Sequence, residues 1–227
     1  GERLRSFQPN DVRALGTNTL RVAKNAVAFL KKAEAALGFP IEVIAGREEA
    51  RLIYVGVAHS LPVTDERRLV VDIGGGSTEF IVGVGYRPQR LDSLYMGCVS
   101  FSRQFFRDGK LTKGAFKQAE LAARTELQHI VSEFSRRNWK HAVGSSGTAR
   151  ALAQVLQLNG FSDSGVTPEG LDALRTQLIK AGDLASATLA GLRAERASVF
   201  PGGLAIMTAV LSELDIEHMT VADGAMR

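Results

Sequence analysis

The stretch Leu69-Val-Val-Asp72-Ile-Gly-Gly-Gly-Ser-Thr-Glu79-Phe-Ile-Val-Gly-Val84 sets two apolar, β-branched runs on either side of three consecutive glycines. Short runs of this composition, bounded by turn residues, read as strands. The gap between them is too short for a crossover, so 69–73 and 79–84 are expected to pair antiparallel, with 91–95 as a third strand. The turn also carries chemistry. Without side chains in the way, the N–H groups of Gly74, Gly75 and Gly76 can approach an anion, and Ser77 and Thr78 add hydroxyl donors. Asp72 and Glu79, one at each end, are the ligands a hard cation such as Mg²⁺ prefers. A glycine hairpin with no ligand is the plainer reading; acids at both ends with hydroxyls between them favour phosphate.

Upstream, 12–16 reads as a buried strand and 19–37 as a helix in which Leu20, Ala23, Val27, Leu30 and Ala33 or Glu34 approximate one stripe. Gly38 is its stop, with Pro40 beyond. A strand over 41–45 then leads to a helix from about Arg47 carrying Leu52, Ile53 and Val57. This β-α-β-α order predicts an α/β fold with a largely parallel, helix-covered sheet. Downstream, a long helix from about Thr112 carries Phe116, Ala119, Ala123, Leu127, Ile130 and Phe134 on its inner face. A strand over 141–143 and a helix over 148–158 follow, the latter stopped by Gly160. Thr167 and Pro168 read as N-cap and first residue of a helix reaching Ala181. A helix over 203–214 and a strand over 219–222 come last. The polar run 64–67 is the expected lobe boundary, giving one lobe over residues 1–66 and another over 67–227.

A second glycine and hydroxyl turn, Gly144, Ser145, Ser146, Gly147 and Thr148, lies between a strand and a helix, where free N–H groups and the helix dipole make an anion site. A simple N-cap fits the same residues. The run Val12-Arg-Ala-Leu-Gly-Thr-Asn-Thr-Leu-Arg21 echoes His141-Ala-Val-Gly-Ser-Ser-Gly-Thr-Ala-Arg150, which suggests two lobes on one plan. On that plan, the first lobe's counterpart of the 72–84 hairpin lies upstream of residue 1. The chain opens on Gly1 rather than Met, which points to truncation or processing. Gly46-Arg-Glu-Glu-Ala-Arg51 places paired acids at a helix start, where the dipole alone explains them. Arg47 and Arg51 on the same helix would help capture a polyanion.

Composition narrows the classes. The chain has 227 residues, 45% of them apolar, and a net charge of +4, too small to indicate nucleic acid as the partner. Cys98 is the sole cysteine, which leaves no internal disulfide and makes a cytoplasmic location the default. No apolar run is long enough to span a bilayer. His59, His129, His141 and His218 lack metal-ligand spacing, and no serine sits in a nucleophile elbow. Metal-assisted attack by water therefore fits better than covalent catalysis.

The motifs Ile41-Glu-Val-Ile-Ala-Gly-Arg-Glu-Glu-Ala-Arg-Leu-Ile-Tyr54, Val70-Val-Asp-Ile-Gly-Gly-Gly-Ser-Thr-Glu79, Met96-Gly-Cys-Val-Ser100, Gly144-Ser-Ser-Gly-Thr148 and Asp223-Gly-Ala-Met-Arg227 resemble, in the same order, the exopolyphosphatase and guanosine-pentaphosphate phosphatase family. The resemblance implies a two-lobe actin-like fold of ribonuclease H type, lacking its N-terminal part and therefore impaired as an enzyme on its own. It implies Glu49 as catalytic base, Asp72 and Glu79 near Mg²⁺, and both glycine loops on phosphate. The substrate would be inorganic polyphosphate or guanosine pentaphosphate, with neither membrane nor nucleic acid as partner and with room for a homodimer. An actin-like kinase and a non-catalytic polyphosphate or nucleotide sensor are the alternatives from other classes.

Overall fold

The computed structural model describes residues 2–222, so the Asp223-Gly-Ala-Met-Arg227 motif lies outside the described residues. The chain divides into two compact units, Gly1–Glu49 and Ala50–Arg227.

In the first unit, β1 (Ala14–Gly16) pairs in parallel with β2 (Ile41–Val43). Between them the expected single helix is broken into α1 (Asn18–Val22) and α2 (Ala26–Leu37), because Ala23 turns to extended backbone at φ −69° and ψ 124°. Gly38 stops α2 as expected, at φ +83°, with its N–H donated to the Glu34 carbonyl at 2.8 Å. The predicted stripe is only partly covered, with Leu20, Ala23, Leu30 and Ala33 half-buried. Val27 is 77% exposed and no described α2 residue is buried, since this unit offers only two strands to pack against. α3 (Gly46–Ser60) begins here and continues into the second unit. The units therefore divide inside α3, upstream of the polar run 64–67.

The second unit is built on a five-stranded sheet: β3 (Arg68–Ile73), β4 (Thr78–Val84), β5 (Arg87–Leu94), β6 (His141–Gly144) and β7 (Met219–Val221), in the order β5-β4-β3-β6-β7. The first three strands pair antiparallel, while β3, β6 and β7 are parallel. β5 starts four residues earlier than expected. Its Arg87-Pro-Gln-Arg90 opening has no strand-like composition, but an edge strand tolerates the proline.

Strand alternation sorts the side chains into two layers. Leu69, Val71, Ile73, Phe80 and Val82 join the large core formed with α4 (Cys98–Phe105), α5 (Lys113–Leu127), α6 (Val131–Phe134), α7 (Gly147–Leu158), α8 (Pro168–Ala181) and the last helix, while the short α9 (Ala194–Ala197), which has no buried residue, precedes that helix, α10 (Phe200–Glu213). Val70, Ile81 and Val143 face the other way, onto Ala50, Ile53, Tyr54 and Val57 of α3. The inner-face residues expected downstream of Thr112 are all buried, although the helix breaks after Leu127 and resumes at Val131. Thr167 caps α8 through Oγ1, which accepts the Gly170 N–H at 3.1 Å. Among the described residues no helix is long and apolar enough to cross a membrane.

Tyr54 shows how closely α3 seats on the sheet. Its hydroxyl donates to the Gly85 carbonyl at 3.1 Å, and burial pushes its phenol above the usual range, with Arg68 opposing. A Cβ on Gly83 would fall 2.4 Å from the Tyr54 ring and 2.6 Å from the Arg87 carbonyl oxygen. Neither can withdraw, so Gly83→Ala should cost about 1–3 kcal/mol by overpacking. Thermal unfolding followed by circular dichroism should register this as a drop of about 2–4 °C per kcal/mol. An unchanged midpoint would contradict the packing described.

Candidate functional site

Both glycine loops leave the carboxyl ends of adjacent parallel strands, β3 and β6, which are in register with Val71 opposite Gly144. In open α/β sheets this end of the strands is where ligands bind.

In the first loop, the β3–β4 register sets Asp72 opposite Glu79 and Ile73 opposite Thr78, and the Gly74 N–H closes the turn on the Ser77 carbonyl at 2.9 Å. The carbonyls of Gly74 and Gly75 turn toward the start of α4. Gly74 O accepts from Cys98 N at 2.9 Å, and Gly75 O accepts from Val99 N at 2.9 Å and Ser100 N at 3.1 Å. With the carbonyls held there, the N–H groups of Gly75, Gly76 and Ser77 donate to no other described residue, and Gly75 is exposed. Gly97 makes the clasp possible, because a Cβ there would lie 2.4 Å from Gly75 C, Gly75 O and Gly76 N.

The hydroxyls are arranged differently from expectation. Thr78 was expected on phosphate, but it is fully buried and its Oγ1 donates to the Met96 carbonyl at 2.6 Å. Ser145 Oγ donates to Asp72 Oδ2 at 2.5 Å, and Thr148 Oγ1 to the Ile73 carbonyl at 3.0 Å. Ser146 Oγ caps α7 by accepting the Ala149 N–H at 3.1 Å. Burial explains all four, since a hydroxyl removed from water must find a partner. These side chains brace the loops against each other, and the amides of Ser146, Gly147 and Thr148 at the start of α7 donate to no other described residue.

Sequence reading missed the charge at that helix start. The Arg196 guanidinium lies so close to Gly147 that a Cβ there would be 2.3 Å from Nη2. Arg196 has no ion pair among the described residues. A cation is opposed by the positive end of a helix dipole, so this placement becomes favourable when an anion sits between them. Nothing near Arg196 in the sequence forms a motif, and only the fold brings α9 to α7.

Asp72 and Glu79 are both buried and lie on the face of the sheet that α3 covers, as their alternation with Val70 and Ile81 requires. Ser145 donates to Asp72, and Ser93 Oγ donates to Glu79 Oε1 at 2.9 Å. The described residues contain no group of three acidic, histidine or cysteine side chains suited to a metal. Two carboxylates still suit Mg²⁺, which commonly takes one or two from the protein and fills its shell with water and phosphate oxygens.

Within the first unit, Glu49 stands in the first turn of α3 at 8% exposure. Its Oε2 meets Arg21 Nη1 at 2.9 Å, and the same nitrogen donates to the Ile44 carbonyl at 2.9 Å. Glu48 beside it is only half-buried, so the two acids, alike to a helix dipole, are not alike in environment. Arg21 was legible only as the last residue of the internal echo. That echo has structural content: Thr17 and Ser146 are both N-caps, and Leu20 and Ala149, aligned in the echo, both pack against a glycine at the end of the preceding strand.

Comparison with known proteins agrees with this geometry. Residues 1–227 match the Ppx/GppA phosphatase family. The structure of the Aquifex aeolicus PPX-GPPA enzyme is similar with a TM-score of 0.73 at 28% identity, over 95% of this chain and 73% of that one. An exopolyphosphatase from Cytophaga hutchinsonii gives 0.80 at 23% identity, over 95% and 72%. An exopolyphosphatase-like protein gives 0.84 at 20% identity, over 99% and 77%. The fold is thus the actin-like α/β fold, and the chain belongs to the Ppx/GppA phosphatase family.

Proposed function

We propose that this protein removes terminal phosphate from inorganic polyphosphate, guanosine pentaphosphate or both, by attack of water. The observation that carries the reading is the pair of loops at one end of the sheet. They present undonated amides at Gly75, Gly76 and Ser77 and again at the start of α7, with Arg196 unneutralised beside the second. Such donors, fixed before the ligand arrives, stabilise phosphate charge without reorganisation. The exopolyphosphatase named among the similar structures agrees with the substrate class.

On this reading the amides of residues 75–77 and of Gly147 and Thr148 hold successive phosphates, and Arg196 neutralises charge on them. Asp72 and Glu79 would hold Mg²⁺, which supplies charge neutralisation to the phosphoryl group. Glu49 orients or deprotonates the attacking water, its carboxylate steadied by Arg21. Positioning and electrostatics carry most of the catalysis in phosphoryl transfer. The direct test is phosphate release by the full-length protein from long-chain polyphosphate and from guanosine pentaphosphate, side by side, with and without Mg²⁺. Release from neither substrate would remove the proposal.

Glu49→Gln keeps size and hydrogen-bonding reach but removes the base. It should lower kcat by about 10²- to 10⁴-fold with substrate affinity nearly intact. Glu48→Gln should leave kcat within a few-fold, and equal mild effects at both positions would return the pair to a dipole role.

Gly97→Ala should push the first loop off α4 and weaken polyphosphate binding. Gly114→Ala is the control, because its Cβ would meet nothing nearer than Thr112 Oγ1 at 3.9 Å. Helix α5 should gain about 0.5–1 kcal/mol from that change. Isothermal titration of both variants with polyphosphate checks the contrast, and equal affinities would show that the clasp does not shape the binding loop.

A further inference from the structure

The other end of the same strands carries a second concentration of charge. β3 and β6 begin at Arg68 and His141, which lie opposite one another in the parallel register, and Glu217 and His218 lead into β7 beside β6. Together with Arg136 and Lys140, these residues line a cavity of about 330 Å³. The six-residue length of β3 puts it about 17 Å from the glycine loops, so it is separate from the site already described.

Arg68 is the residue that points to a ligand. It is 8% exposed, yet its guanidinium makes one hydrogen bond, from Nη2 to the Pro62 carbonyl at 3.1 Å, and has no carboxylate partner among the described residues. A buried charge left without a counter-charge is costly. Its neighbours add positive charge rather than remove it. The Arg136 guanidinium lies 4.6 Å over the Trp139 ring and donates to the Trp139 carbonyl at 2.7 Å, while Lys140 is exposed with no ion pair among the described residues. Glu66 is engaged by His141 at 2.6 Å, and His218 Nε2 donates to the Ser164 carbonyl at 3.0 Å. Among the described residues, Glu217 is the one carboxylate lining the cavity, against the three cations Arg68, Arg136 and Lys140.

We propose that this cavity is a second anion site, which takes a free phosphate ion or the phosphate group of a small ester. Arg68 offers a planar fork that matches two phosphate oxygens, and Arg136 and Lys140 supply further positive charge. Small-molecule pockets run from about 300 to about 1,000 Å³. This cavity is at the lower end of that range and suits a compact ion rather than a polymer. The assignment does not depend on what the glycine loops bind.

Trp139, the sole tryptophan in the 227 residues, lines the cavity and reports on it. The test follows its indole N–H resonance in isotopically labelled full-length protein, assigned through Trp139→Phe, as inorganic phosphate is added. Sodium chloride at matched ionic strength is the control. The resonance should shift to saturation with phosphate and stay in place with chloride. Arg68→Gln and Lys140→Glu should each weaken this binding about tenfold or more, as loss of a charge-assisted contact implies. Lys140 is exposed, so its variant keeps the test available if Arg68→Gln does not fold. Arg196→Gln, at the loop site, should leave the titration unchanged. Ribose 5-phosphate separates the two sources, since tighter binding than inorganic phosphate assigns the site to an ester and weaker binding assigns it to the free ion. A resonance that ignores phosphate, moves equally with chloride, keeps its full response in Lys140→Glu or loses it in Arg196→Gln would overturn the site, with the loop reading left to its own test.

Discussion

The parallel pairing of β3 with β6 is the constraint on which the site depends. It puts two loops at one end of the sheet, and Ser145 then extends the pairing past the strands. Its N–H donates to the Val71 carbonyl at 3.1 Å and its Oγ to Asp72 at 2.5 Å. Thr148 adds a third link one residue further, at the Ile73 carbonyl. Each loop is thereby shaped by the other, and neither can be moved without loosening bonds made to the first strand of the pair.

This bracing explains why the loops are rich in serine and threonine. Asp72 is 9% exposed and Glu79 is 1% exposed, and burying a carboxylate is costly unless donors surround it. The two also face one another across neighbouring strands, an arrangement that destabilises like charges when both are ionised. Ser145 and Ser93 reduce the cost from the protein side. Two carboxylates on neighbouring strands are a donor set that suits Mg²⁺, whose remaining positions take water and phosphate oxygens.

Much of this was legible in the sequence because the relevant interactions are local. A β-hairpin with glycines at its tip, a strand running into a capped helix, and a threonine and proline at a helix start each depend on residues within a few positions. What was not legible depends on distance. Helix α4 is short, and its N–H groups are spoken for by loop carbonyls more than twenty residues upstream. Gly97 therefore looked like one letter of a family motif rather than a contact with Gly75. The hydroxyls of Thr78, Ser145 and Thr148 were read as ligand donors because a sequence does not reveal that they will be buried. The stripe expected over 19–37 is less covered than its pattern implies for a similar reason, although helices do form at Asn18–Val22 and Ala26–Leu37. Its periodicity was sound, but periodicity states which face is apolar and not whether anything covers it.

Arg196 carries the argument further than any single motif. An arginine can lie anywhere on a surface at little cost, yet this one rests against the first residue of a twelve-residue helix, where the dipole disfavours it by about 0.3–1 kcal/mol. Gly147 must lack a side chain for the contact to exist, and among the described residues no carboxylate pairs with the arginine. The arrangement becomes favourable once an anion accepts from the helix amides and the guanidinium together. The loop amides of residues 75–77 follow the same logic, their carbonyls tied to α4 while the donors stay open. Both features make sense as provision for the same highly charged ligand.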